Sequence, residues 1–171
     1  MRVGKAEQSR INKKGLHLEI PGWGELRLQQ ALFDLNGTLA LDGILPEAVR
    51  ERLWRLQETL ALYVVTADTH GTAADLTRDC GDLNIARVRA GDEAGQKHVL
   101  LEDLEASNTV TFGNGANDAL MLRKACLGIC VMQGEGTSLQ ALLASDVLVR
   151  SAEEGLDLLL NPTRLIATLR S

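Results

Sequence analysis

In the stretch Ala31–Ala40, ALFDLNGTLA, a short apolar run delivers a single carboxylate, Asp34, onto a turn containing Asn36, Gly37 and Thr38. A carboxylate at the end of a rigid strand is where an enzyme places a nucleophile for covalent catalysis. Two residues on, Asn36 carries an amide, which has no titratable proton and cannot act as general acid or base. Two more apolar runs end on polar groups: LALYVV on Thr66, and NTVTF on GNGAND, which holds Asn114, Asn117 and Asp118. Each of these also has a plain structural reading. Asp before a Gly turn makes Asx-turns, Thr caps helices, and Gly/Asn runs make loops. Their joint recurrence at strand ends is what argues for a site.

The elements that must position them are read from periodicity. LHLEI and ELRL alternate around PGWG and predict a hairpin. Ala31–Phe33 predicts a short buried strand ending at Asp34. PEAVRERLWRLQETL places Val49, Leu53, Leu56 and Leu60 at helical spacing behind Pro46. Further strands are expected at 60–65, 84–88, 108–112, LGICVM and DVLV, and helices near 72–80, 92–106, 117–125 and 137–144. A C-terminal helix is broken at Asn161-Pro162. Strands alternating with helices predict an α/β, Rossmann-like three-layer sandwich around a parallel sheet. In such sheets ligands bind at the carboxyl ends of the strands. Asp34, Thr66 and the Asn114/Asp118 pair all fall on that rim.

The order DLNGTL, Thr66 in VVTADT, Lys97, then GNGAND resembles the haloacid dehalogenase-type phosphohydrolase superfamily. GNGANDALML and GEGTSLQALLASDVLV narrow the likeness to the phosphorylation domain of P-type ATPases and small soluble proteins related to it. The resemblance spans about Ala31–Arg150. It implies that Asp34 attacks phosphorus and forms an aspartyl phosphate, with Asp34, Gly37, Thr66, Ala67 and Lys97 lining the phosphate. It also implies Mg²⁺ on Asp34, the Asn36 backbone carbonyl, Asn114 and Asp118, with Thr38 and Asn117 supporting them. Phosphoryl transfer needs such parts: an in-line nucleophile, cationic charge on the equatorial oxygens, and donors that hold them.

Two positions depart from the family pattern. Typical members carry Asp where this chain has Asn36, and an acid where it has Asn114. The first change removes the leaving-group acid, a loss of about 10²–10⁴-fold in rate. The second removes a charge from the metal site unless Asp118 compensates directly or through water. The implied function is a Mg²⁺-dependent phosphohydrolase or phosphotransferase with weak turnover. The alternative is a catalytically degenerate phosphate-binding or regulatory domain on the same scaffold. A receiver-type phosphoacceptor does not fit, because no acidic pair precedes Asp34 and GNGAND has no place in that scheme.

Only 27 residues separate Leu39 from Ala67, and Lys97 follows Thr66 by 31, lengths that the sheet's own helices use up. No cap domain is expected. Capless members often oligomerise or act on large substrates, so a homo-oligomer and a phosphorylated small molecule or protein are the implied partners. PGWG offers either an edge cover or a contact through Trp23.

With 45% apolar but only 3% aromatic residues, the core must be aliphatic. Residues 1–15 hold five bases and one acid, against 13 bases and 22 acids in the rest. They read as a basic, flexible segment ahead of a single domain at 16–171. The acidic body is a poor surface for nucleic acid. No apolar run approaches the roughly 20 residues of a membrane span. Cys80, Cys126 and Cys130 lack framework spacing and read as free thiols in a reducing cytoplasm. His17, His70 and His98 are too scattered for zinc.

Overall fold

The computed structural model describes residues 13–67 and 80–171. In Leu16–Ile20 (β1) and Gly24–Leu28 (β2), alternation sends Leu18, Ile20, Leu26 and Leu28 to one buried face. The strands pair antiparallel as a two-stranded sheet of their own, turning through Gly22 at φ +79°. All four leucine and isoleucine side chains join the main core, so the hairpin covers the domain itself. Of the candidate contact surface, Trp23 at the tip remains 42% exposed.

The chain then enters Gln30–Asp34 (β3), whose five residues are all buried. Pro46 opens Glu47–Leu56 (α1), burying Val49, Leu53 and Leu56. Ala61–Thr66 (β4), Leu83–Arg87 (β5), Glu93–Asp103 (α2), Thr109–Gly113 (β6) and Ala119–Lys124 (α3) follow. Leu127–Val131 (β7), Leu139–Ala144 (α4), Val147–Val149 (β8), Ala152–Leu160 (α5) and Pro162–Leu169 (α6) complete the chain. The helix expected at 117–125 is shorter than its pattern, because a 3₁₀ turn at Ala116–Asp118 leads into α3. The helix expected near 72–80 falls outside the described residues but for Cys80. Of the basic segment only residues 13–15 are described. There Lys13 donates to the Gln57 carbonyl, and the Gly15 amide donates to the Thr59 carbonyl at 3.0 Å.

The second sheet has the order β5-β4-β3-β6-β7-β8, and every pairing is parallel. Period-two alternation divides its faces. Ala31, Phe33, Leu62, Val64, Val110 and Phe112 pack with α1, α5, α6 and the hairpin. Leu32, Tyr63 and Val65 pack on the opposite face with Leu101 of α2 and Met121 of α3. Aliphatic side chains dominate both layers; Phe33 and Phe112, with ring centroids 4.8 Å apart, are the aromatic pair at the centre. Arg52 ties α1 to α5 through two bonds to Asp157, at 2.9 and 3.1 Å.

From β3 the chain moves outward to β4 and β5, then returns to β6 on the other side. The carboxyl ends of β3 and β6 therefore flank the topological switch point, where open α/β sheets form their ligand crevice. Between Asp34 and Thr66 lie a small turn, α1 and β4, with no inserted cap domain. Among the described residues no helix is long and apolar enough to cross a membrane.

Candidate active site

Asp34 ends β3 at the switch point, and Lys97 reaches it from α2. Asp92 caps α2 by accepting from the Gly95 amide at 3.2 Å, which sets the helix phase. Lys97 and Leu101, four residues apart, are the inward positions of α2. The lysine stem is thus buried while its ammonium donates to Asp34 Oδ1 and Asp118 Oδ1, each at 2.7 Å. Asp118 is fully buried. Its other oxygen, Oδ2, accepts from the Asn114 and Gly115 amides at 3.0 and 2.9 Å, which shapes the GNGAND loop.

Thr38 draws this loop to the one after Asp34. Its hydroxyl lies 3.2 Å from Asp34 Oδ2 and 3.1 Å from Asn114 Oδ1, and its one proton serves either oxygen. The Asn114 amide has a fixed orientation, because its Nδ2 donates to the Gly136 carbonyl at 3.0 Å. Its oxygen therefore faces the Asp34 side. Gly37 has φ +75°, and a Cβ there would stand 2.5 Å from Asn114 Nδ2 and 3.0 Å from Glu135 Oε2. Both the turn and the space require glycine.

Burial raises the Asp34 carboxyl to about 7, and the neighbouring Asp118 charge adds to the rise; Lys97 and the Thr38 hydroxyl oppose it without cancelling it. For Lys97, burial alone would depress the ammonium, but the two carboxylates outweigh it and hold the group above the ordinary lysine range. Lys97 is therefore charged at neutral pH. Asp34 sits close to its titration there, so a ligand cation would favour its ionised form.

The remaining expected residues divide. Thr66 is buried at the end of β4, one register step beyond the Val65 partner of Asp34. Ala67 follows it, half-buried. Asn36 is exposed in the turn, where a bridge joins it to Ala40. Asn117 does not face Asp34 in any contact the structure shows; it donates to Glu93 Oε2 at 2.6 Å and ties the loop to the start of α2. Cys80, Cys126 and Cys130 are free thiols, and burial pushes Cys126 and Cys130 up. His17 bonds Glu25 and His98 lies 3.8 Å from Glu102, both away from this cluster; His70 is outside the described residues.

Sequence reasoning missed Glu93, Gln133 and Glu135. Gln133 donates to the Thr38 carbonyl at 2.9 Å, and Glu135 Oε1 accepts from the Asp42 amide at 2.9 Å. The rule that singled out Asp34 and Asn114 applies here too: GEG follows the end of β7 on the same rim.

The donor set suits Mg²⁺ in type. That ion prefers hard oxygen ligands and retains several waters. Asp34 Oδ2 and Asn114 Oδ1 contact one hydroxyl and so converge. Among the described residues no three His, Cys, Asp or Glu side chains gather as a metal site. A cation here would rely on amide and carbonyl oxygens beside Asp34. Asp118 gives one oxygen to Lys97 and the other to two backbone amides, so its part in holding a cation would run through water or through displacement of Lys97.

No protein-family model matches the chain. Over 92 residues, 52% of its length, it is 41% identical to the uncharacterised protein MJ0073 of Methanocaldococcus jannaschii, 99% of which is covered. The chain belongs to the family of MJ0073. A probable copper-transporting ATPase, PacS of Synechocystis sp., is 35% identical over 91 residues, 52% of this chain but 11% of the transporter. Among solved structures, 3-deoxy-D-manno-octulosonate 8-phosphate phosphatase of Moraxella catarrhalis, crystallised with magnesium and phosphate ions, superposes with TM-score 0.65 at 19% identity. It covers 84% of this chain and 94% of that one. The cobalt-bound phosphatase of Haemophilus influenzae superposes with TM-score 0.63 at 10% identity, over 83% of this chain and 89% of that one. The fold of the chain is that of the capless haloacid dehalogenase-type phosphohydrolases.

Proposed function

We propose that this protein is a Mg²⁺-dependent phosphohydrolase or phosphotransferase in which Asp34 carries the phosphoryl group. The observation that carries the reading is the buried Asp34–Lys97–Asp118 cluster at the switch point, beside an Asn114 oxygen that faces the same carboxylate. An Asp34 oxygen attacks phosphorus, the bond from phosphorus to the leaving oxygen breaks, and its electron pair departs with that oxygen. Lys97 offsets the negative charge gathered around the transferring group, and Thr66 donates to it from the end of β4. Asp34, the Asn36 carbonyl and Asn114 would hold Mg²⁺, which when bound supplies positive charge for the phosphoryl oxygens.

Asn36 cannot protonate a departing alkoxide or activate the water that later attacks the aspartyl phosphate. Substrates with good leaving groups, such as acyl and aryl phosphates, need no such proton. The uncapped rim admits a phosphorylated small molecule or a phosphorylated protein side chain. Release of phosphate is the slow step.

A second reading, a phosphate-binding domain without turnover, draws on the amides at Asn36 and Asn114. Phosphate release from an aryl phosphate, followed in wild type and Asp34→Ala with Mg²⁺, separates the two. Release that vanishes with Asp34 supports the enzyme; equal release from both proteins, or none from either, refutes it.

A further inference from the structure

A cation at Asp34 would find little negative charge in the groups that face it. The Asp34 charge is shared with Lys97, the Asp118 charge is shared with Lys97 and two amides, and the Asn114 and Asn36 oxygens are neutral. Ligand charge count sets the affinity of oxygen sites for divalent ions. The structure brings one more acid to this rim. The loop Gln133-Gly134-Glu135 lies along the turn after Asp34. Gln133 holds the Thr38 carbonyl, Gly134 faces Leu41 closely enough that a Cβ would stand 3.1 Å from it, and Glu135 holds the Asp42 amide through Oε1. Glu135 Oε2 is left over the Cα of Gly37, sharing that space with the Asn114 amide.

We propose that Glu135 is the charge-compensating acid of the cation site, acting across water from beside Gly37 and Asn114. The inference rests on the phosphoryl-transfer reading and deepens its metal site. Glu135 is a positioning residue: it acts on the cation's hydration shell and on the Asn114 amide rather than on substrate. Mg²⁺ keeps several waters, so a carboxylate one water away is a normal partner for it. The absence of a side chain at Gly37 is what lets the carboxylate and the amide approach the turn together.

Two structural roles compete in the same side chain, and Glu135→Gln separates them. Its amide oxygen still accepts from the Asp42 N–H, but the charge is gone. The test is calorimetric titration of MgCl₂ into the full chain, with thermal unfolding in chelator alongside. Glu135→Gln is expected to bind Mg²⁺ about 10-fold more weakly, the low end for outer-shell partners, with its melting temperature in chelator unchanged. Asn114→Asp should restore affinity in the Glu135→Gln background and raise it less in wild type. Equal Mg²⁺ affinity in wild type and Glu135→Gln would overturn the inference and leave Glu135 as a tether of the loop. If Glu135→Gln fails to fold, Asn114→Asp is compared in wild type and in Glu135→Asp, which draws the carboxylate back by one methylene; a gain larger in Glu135→Asp would sustain the inference, and equal gains would overturn it. Wild type that binds no Mg²⁺ at millimolar concentration would instead refute the metal-dependent reading itself.

Discussion

Asp34→Asn should make the protein more stable above neutral pH. The carboxyl of Asp34 is raised from 3.8 to about 7, mainly by burial and then by the Asp118 charge. Between those values the folded state holds a proton that the unfolded chain has released. Stability from this group is therefore fully present below about pH 4 and is lost as pH rises through about 7. Three pKa units at about 1.36 kcal/mol each set a ceiling of about 4 kcal/mol. Relaxation and water entry around the ionised group make about 2 kcal/mol the expected value. Asn has nearly the shape of the protonated acid, keeps an oxygen for Lys97, and pays no charge burial. Urea unfolding in chelator should show the two proteins equal near pH 4 and Asp34→Asn more stable by about 2 kcal/mol near pH 8. Adding Mg²⁺ at pH 8 should stabilise wild type and leave Asp34→Asn unmoved. A variant less stable than wild type at pH 8, or a gap that ignores pH, would refute the reasoning.

Restoring an acid with Asn36→Asp should raise turnover of an aryl phosphate by about 10²-fold, the low end for a general acid–base group; an unchanged kcat at equal Mg²⁺ affinity would count against the role given to Asn36. Lys97→Met leaves two buried carboxylates facing each other, so unfolding at pH 8 should show a loss of about 3–5 kcal/mol, shrinking at acid pH as Asp34 takes up its proton. Gly37→Ala places a Cβ 2.5 Å from the Asn114 amide at φ +75°; it should lower stability by about 1–3 kcal/mol and weaken Mg²⁺ binding in the same calorimetric assay.

The sheet was legible because its four central strands are buried on both faces and are bounded by turn residues. LALYVV and TVTFG hold few residues that any other element would tolerate. The rim was legible for the same reason: Asp34, Thr66 and Asn114 are polar groups at the ends of apolar runs. Lys97 was harder. Its position on α2 has the phase of Leu101, yet a lysine at a core phase reads from composition as solvated, and only its two carboxylate partners explain the burial. Asn117 was singled out by the motif, but its partner Glu93 depends on how α2 meets the loop. Glu135 was harder still: the strand-end rule puts its loop on the rim, but loop residues with no period do not say which turn they meet. What places it is the crossing of the β7–α4 loop over the Gly37 turn, a contact between segments about 100 residues apart that no local pattern encodes.

The central claim is that Asp34 becomes phosphorylated. Intact-protein mass spectrometry after incubation with acetyl phosphate and Mg²⁺, wild type beside Asp34→Ala, tests it most directly. A single phosphoryl adduct in wild type, absent from Asp34→Ala and decaying slowly for want of a base at Asn36, is the expected result. An adduct that persists in Asp34→Ala, or a wild type that never carries one and releases no phosphate, would contradict it.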